Sequence, residues 1–172
     1  MVKRLVLTGG GMVFAMMMEV EAEAQLGGAV RQVIVATAAD WDSNRAVWPY
    51  VQVGKWDAYV DDSSSPYYNR HVRVRPDQVP PWFEKQRMRL GDAAYKWMLE
   101  IRHNQNPAVP GGGSAIFFHV RRGPDKPSAG CTTMAVEHLE WMIRWLRPED
   151  SPHYVLLPRA EYGALREGWR LP

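Results

Sequence analysis

The chain of 172 residues holds a single cysteine, Cys131, and a histidine twelve positions upstream, His119. A thiol and an imidazole are the two parts of an activated nucleophile: the ring takes the proton and the sulfur attacks a carbonyl carbon. Between them runs the turn-rich segment Gly123-Pro124-Asp125-Lys126-Pro127-Ser128-Ala129-Gly130. Ahead of His119, Ala115-Ile116-Phe117-Phe118 reads as a buried strand launched from Pro110-Gly111-Gly112-Gly113. A strand ending at the imidazole, with a loop that brings the thiol back beside it, supplies the geometry of cysteine acyl transfer. The competing reading makes Cys131 a small inert core residue and His119 a hydrogen-bonded core histidine. It is the pairing of the two that favours chemistry. A metal centre is the rival enzyme reading, with His119, Cys131, His138 and His153 as potential ligands. The chain carries neither HExxH nor paired CxxC, so no metal and no other cofactor is expected.

The elements that position these groups are mostly short. Gln32 to Thr37 is expected as a first strand and Trp48 to Val53 as a second, placed at an edge by Pro49. Lys55 to Asp62 reads as a third strand, followed by a turn over Ser63 to Tyr68. Residues 76 to 91 read as connecting structure with one helical turn near Phe83. Alternation of Trp97, Leu99 and Ile101 with Lys96, Glu100 and Arg102 favours a strand. One convincing helix follows the cysteine, with Ala135, Leu139, Met142, Ile143 and Leu146 on one stripe, Thr132 or Thr133 as its cap and Pro148 as its end. That places Cys131 just ahead of a helix N-terminus, where the dipole and free amides favour a thiolate and help hold an oxyanion. Tyr154 to Leu157 is a last strand and Ala160 to Gly168 a closing helix. The fold class is α+β, mainly β, with one packed amphipathic helix.

A hydrophobic fraction of 46% suffices for one compact domain. The 21 basic and 19 acidic residues nearly balance and form no basic tract, which argues against nucleic acid as a partner. Eight tryptophans and seven tyrosines exceed what a core of this size needs, so part of them is expected to line a groove. Residues 1 to 24 have the three parts of an export signal: Lys3-Arg4, the apolar run Leu5 to Met18, and Ala22-Glu23-Ala24 ahead of a cut before Gln25. The alternative is an amphipathic first helix of the fold. The expectation is an exported, periplasmic domain, residues 25 to 172, with no stable membrane insertion once the signal is removed. In an oxidising compartment a lone cysteine forms no internal disulfide, which leaves burial or reactivity as its use.

Ser128-Ala129-Gly130-Cys131, with His119 in the preceding strand, resembles the active-site signature of the L,D-transpeptidase (YkuD-type) family: a histidine on a strand, a loop, then Ser/Thr-x-Gly-Cys. Val60-Asp61-Asp62 with Tyr67-Tyr68-Asn69 is similar to the D-D-x-x-S-x-x-Y-N segment of an exported bacterial branch. Asn104, the Pro-Gly-Gly-Gly-Ser lead and the helix EHLEWMIRWL fit the same branch. Ala129 stands where many members carry a second histidine. Around Ala46 to Lys55 nothing matches the family's Gly/Asp-rich segment, an apparent internal shortening near residues 46–55.

The resemblance implies a YkuD-like β-sandwich or barrel-like sheet and a peptidoglycan stem peptide as substrate, in cell wall biogenesis and cell shape. Cys131 would be the nucleophile, His119 the general base, and the backbone at Gly130 part of the oxyanion site. Ser128 either orients His119 or shapes the loop. Asp62, Tyr68, Asn69 and Asn104 either contact stem-peptide amides or close turns. Arg121 and Arg122 either meet a substrate carboxylate or are solvated charges, Arg121 being the expected contact. An amine acceptor from a second stem gives a cross-link, and water gives carboxypeptidase activity. A silent peptidoglycan-binding domain is the reading from another class. Oligomeric state is left open.

Overall fold

A computed structural model describes residues 4–9, 12–17, 28–35, 50–88, 91–105, 107–146, 153–169 and 171. Strands β1 (Arg4–Gly9), β2 (Met12–Met17), β3 (Gly28–Val35) and β4 (Tyr50–Gln52) come first, then β5 (Asp57–Val60), β6 (Arg70–Arg73) and the short helix α1 (Phe83–Gln86). A 3-10 turn over Ala93–Tyr95 leads into β7 (Met98–Ile101), β8 (Phe117–Val120), β9 (Thr132–Met134), helix α2 (Val136–Trp145), β10 (His153–Pro158) and helix α3 (Arg159–Leu165). The larger sheet has the order β1-β2-β10-β3-β7-β8-β9, with β4 parallel to β3, and β5 and β6 form a separate hairpin. The expected α+β, mainly β class is what the chain adopts.

The core is built on the two faces of β7 and β8. Alternation sends Leu99, Ile101 and Phe118 to one face, where they meet Leu139, Met142 and Ile143 of α2, Leu146 just past its end and Tyr154 of β10. The spacing of those α2 residues is the helical stripe expected from the sequence, and Leu139 is fully buried beneath it. Met98 and Phe117 point the other way, into a cluster with Val53 and Tyr59. Cys131 and Tyr95 pack against this second cluster.

Two expectations change. Thr132 and Thr133 do not cap a helix; they belong to β9, which pairs in parallel with β8. Two β-branched residues with a free strand edge beside them gain more from a ladder than from a cap. The N-cap of α2 is Ala135, with no side-chain hydrogen bond. Strand β6 is new: Arg70 and Arg73 are exposed at its ends, and Arg73 and His71 both close on the buried Asp57 at 2.9 Å. Burial alone would raise the Asp57 carboxyl, yet Arg73, the Gly54 amide and His71 hold it below the usual carboxylate range.

The apolar run read as the core of an export signal supplies β1 and β2, which pair with each other and then with β10 at the outer side of the sheet. Residues 18–27 and 36–49, which include the expected cut site and the first part of the apparent shortening, lie outside the described residues. Among the described residues no helix is long and apolar enough to cross a membrane.

Candidate active site

His119 sits on β8, between β7 and the outermost strand β9, opposite Met98 and Thr133. It is buried, 3% exposed. Its Nδ1 lies 2.9 Å from the carbonyl oxygen of Val120. A carbonyl only accepts, so Nδ1 carries the proton and Nε2 keeps the basic lone pair. Burial pulls the imidazole below its ordinary value, with the Val120 carbonyl and Asp92 opposing and Arg122 reinforcing the shift. At neutral pH the ring is therefore uncharged and ready to take a proton.

Cys131 precedes β9 by one residue, and the register Phe118↔Thr132 carries it to the level of Phe117. Phe117 and His119 are two apart on one strand, so they share a face, and Cys131 packs on that face with Phe117. The thiol and imidazole are thus diagonal neighbours on one face of adjacent strands. The half-buried Sγ donates to the carbonyl of Ala115 at 3.4 Å. Burial raises the thiol, while the Phe117 amide N–H and the Arg122 charge pull it back in part. The resting pair is a neutral thiol beside a neutral imidazole.

This differs from the thiolate at a helix start expected from the sequence. Val136, the first residue of α2, is five positions past Cys131, with β9 in between. A helix dipole acts within the first turn, so it does not activate this sulfur.

The other expected site residues divide. The Ser128 hydroxyl donates to the carbonyl of Cys131, which ties the end of the loop rather than touching the imidazole. Gly130 has φ 118°, a conformation only glycine adopts without strain, just before Cys131. Asn69 and Asn104 use their amides on backbone: Asn69 donates to the His103 and Asn104 carbonyls, and Asn104 donates to those of Val109 and Gly113. Tyr68 is buried, and Asp62 is exposed with its carboxylate accepting from Ser64. Arg121 is exposed at the end of β8. The cation whose charge reaches both Cys131 and His119 is instead Arg122.

Arg122 belongs to a small assembly over the imidazole. It bridges to Asp92 at 2.7 Å and lies 5.1 Å from the centre of the Tyr95 ring. Tyr95 in turn stands edge-on to His119, ring centres 5.3 Å apart. Asp92 also caps the 3-10 turn by accepting from the Ala94 amide, and the Arg122 bond holds its carboxyl below the usual range. Beneath the same face, the Tyr59 hydroxyl donates to the buried Glu100 at 2.8 Å, and Gln105 Nε2 donates to the same oxygen at 2.9 Å. Only Arg122 of this set carries a signal in the sequence, its closeness to His119. Asp92, Tyr95, Tyr59 and Gln105 arrive from distant segments, with no motif to mark them.

Among the described residues no three His, Cys, Asp or Glu side chains gather as a metal ligand set. A family model, that of the L,D-transpeptidase catalytic domain (YkuD), matches residues 30–155. No curated protein and no solved structure matches the chain.

Proposed function

Since the chain belongs to the L,D-transpeptidase catalytic-domain (YkuD) family, we propose that it forms cross-links between peptidoglycan stem peptides through a thioester on Cys131. In this reading a donor stem lies against the face shared by Cys131 and His119. The bond attacked joins an L-configured centre to a D-residue. The Cys131 proton passes to Nε2 of His119 as the sulfur adds to the carbonyl carbon. Backbone amides near Gly130 and Cys131 hold the oxyanion. The departing D-residue takes the proton from His119 as it leaves, and the acyl group stays on sulfur. The amine of a second stem then attacks the thioester, forming an amide and restoring the thiol. Exclusion of water decides between cross-linking and hydrolysis.

The observation that carries this reading is the parallel β8–β9 register, which supports one shared face for the thiol and for an imidazole whose free nitrogen is Nε2. We propose further that the protein is exported and works in the periplasm, residues 1 to 24 being removed. On that proposal β1 and β2 depart, while β3, β7, β8 and β9 keep their mutual pairing.

The test is to incubate the purified protein with tetrapeptide muropeptides and follow intact mass and products. An acyl adduct that Cys131→Ala abolishes, with dimeric muropeptides, is the expected result. An adduct with only tripeptide release assigns carboxypeptidase activity, and binding without an adduct assigns a silent wall-binding domain.

A further inference from the structure

Among the described residues, three non-glycine positions have left-handed backbone: Asn69 at φ 57°, Asn104 at φ 52° and Ala115 at φ 54°. Asparagine visits that region readily; alanine does so only under constraint. Hydrogen bonds join the three into one unit that ends at the nucleophile. Asn69 Nδ2 donates to the His103 and Asn104 carbonyls at 2.8 and 2.7 Å. Asn104 then fixes the loop that leads to β8, accepting from the Val109 amide at 2.9 Å and donating to the Gly113 carbonyl at 2.9 Å. It fills the space over Gly112, where a Cβ would stand 2.8 Å from Asn104 Nδ2. Asn69 Oδ1 accepts the Ala115 amide N–H at 3.0 Å, and the Ala115 carbonyl accepts the Cys131 thiol at 3.4 Å. Backbone strain that survives at one residue beside a reacting atom points to a use.

We propose that Asn69 is a positioning residue for acyl transfer: it holds Ala115 left-handed so that the Ala115 carbonyl keeps the Cys131 sulfur in one place on the face it shares with His119. This rests on Cys131 being the nucleophile. The chemistry of the two flanking backbone groups is complementary. A carbonyl oxygen accepts from S–H and repels S⁻, whereas the Phe117 amide N–H favours S⁻. For transfer, the S–H bond turns about Cβ–Sγ from the Ala115 carbonyl to Nε2; as it breaks and Nε2–H forms, the sulfur keeps the Phe117 amide N–H that already faces it. Ile116, between them, is held in place by its carbonyl, which accepts from the Ile101 amide on β7 at 3.0 Å. The two backbone groups are therefore fixed relative to the sulfur before substrate binds.

The titratable and charged groups about this sulfur are His119 on β8, Arg122 with Asp92 beyond it, Tyr154 on β10, and Tyr59, Tyr95 and Glu100 of the second face. The substitutions that test the proposal remove none of them.

Asn69→Gly deletes the side chain without adding strain at φ 57°. The readouts are the pH midpoint of Cys131 alkylation by iodoacetamide, which needs no substrate, and the acylation rate with saturating tetrapeptide donor. Asn69→Gly should lower the alkylation midpoint, because the acceptor favouring the thiol is lost. It should slow acylation about ten-fold, the worth of one hydrogen bond in a rate. Adding Ala115→Gly to Asn69→Gly should recover most of both, since glycine occupies the left-handed region unaided. General loosening predicts the reverse, a double variant worse than the single. An unchanged midpoint in Asn69→Gly, or no recovery in the double variant, overturns the proposal. Should Asn69→Gly not fold, Ala115→Val, a side chain excluded from this region, should lower the midpoint in the same way, and an unchanged midpoint there overturns it too. Failure of the wild type to acylate refutes the enzyme reading, whereas the alkylation arm still judges the positioning.

Discussion

Replacing His119 by asparagine separates the two jobs of its ring. The Asn amide N–H can stand where Nδ1–H stands, facing the Val120 carbonyl now 2.9 Å away, while Nε2 disappears. The fold should therefore persist and the base be lost. Burial, opposed in part by the Phe117 amide and Arg122, leaves the Cys131 thiol above its ordinary 9.0. The thiolate fraction at pH 7 is then below about 1%. Without a base, attack depends on that fraction, and acylation should fall by about 10²- to 10⁴-fold, or roughly 3–5 kcal/mol in barrier. The pH profile is the sharper readout. Burial holds His119 below its ordinary 6.5, so the wild-type rate is flat from about pH 7 upward until the thiol itself ionises. The rate of His119→Asn should instead rise about ten-fold per pH unit up to that same ionisation, narrowing its deficit about 100-fold between pH 7 and pH 9. Single-turnover acylation with a tetrapeptide muropeptide, followed by intact mass across that range, measures both profiles. A deficit under ten-fold at pH 7, or one that stays constant with pH, would refute the general-base assignment.

Three further outcomes are expected. Arg122→Gln removes the charge that lowers both groups, so the Cys131 alkylation midpoint and the acid limb of acylation should both move to higher pH; an unmoved midpoint shows that the cation does not act on the sulfur. A chain beginning at Gln25 lacks β1 and β2 but keeps β3, β7, β8 and β9, and should acylate at a rate within about two- to three-fold of the full chain; loss of acylation makes the first hairpin part of the working fold. Leu139→Ala, at a fully buried position under Phe118, should cost about 2–5 kcal/mol in urea unfolding, and a loss below about 1 kcal/mol would mean that α2 is not seated on β8 as described.

What the sequence revealed of the fold follows the range of the forces involved. The α2 stripe and the β7 alternation are local patterns, and both appear where the spacing put them. Glu100 shows the limit. Alternation put it on a polar, outward face, yet that face is buried too, and the carboxylate is satisfied by Tyr59, 41 positions away, and by Gln105. Asp57 shows it again: its carboxylate is buried on β5 because Arg73 and His71 of the paired strand β6 close on it. A local window sees the charge and misses the partner that makes burial possible.

The site teaches the same lesson about Cys131. Histidine, loop, Ser-x-Gly-Cys is legible as a set because the residue types are rare and close in sequence. How the sulfur is activated is not legible, because a threonine ahead of an apolar stripe satisfies the rule for a helix cap and for an edge strand alike. Pairing with β8 decides the matter, and it changes the chemistry. A cysteine at a helix start would rest as a thiolate, held by the dipole and indifferent to its base in the ground state. A cysteine leading into a half-buried parallel strand rests as a thiol and needs a base with a free lone pair. The Val120 carbonyl meets that need by fixing the proton on Nδ1 of His119. In the reaction proposed above, burial, which raises the thiol and lowers the imidazole, makes the proton transfer part of the chemical step rather than a prelude to it.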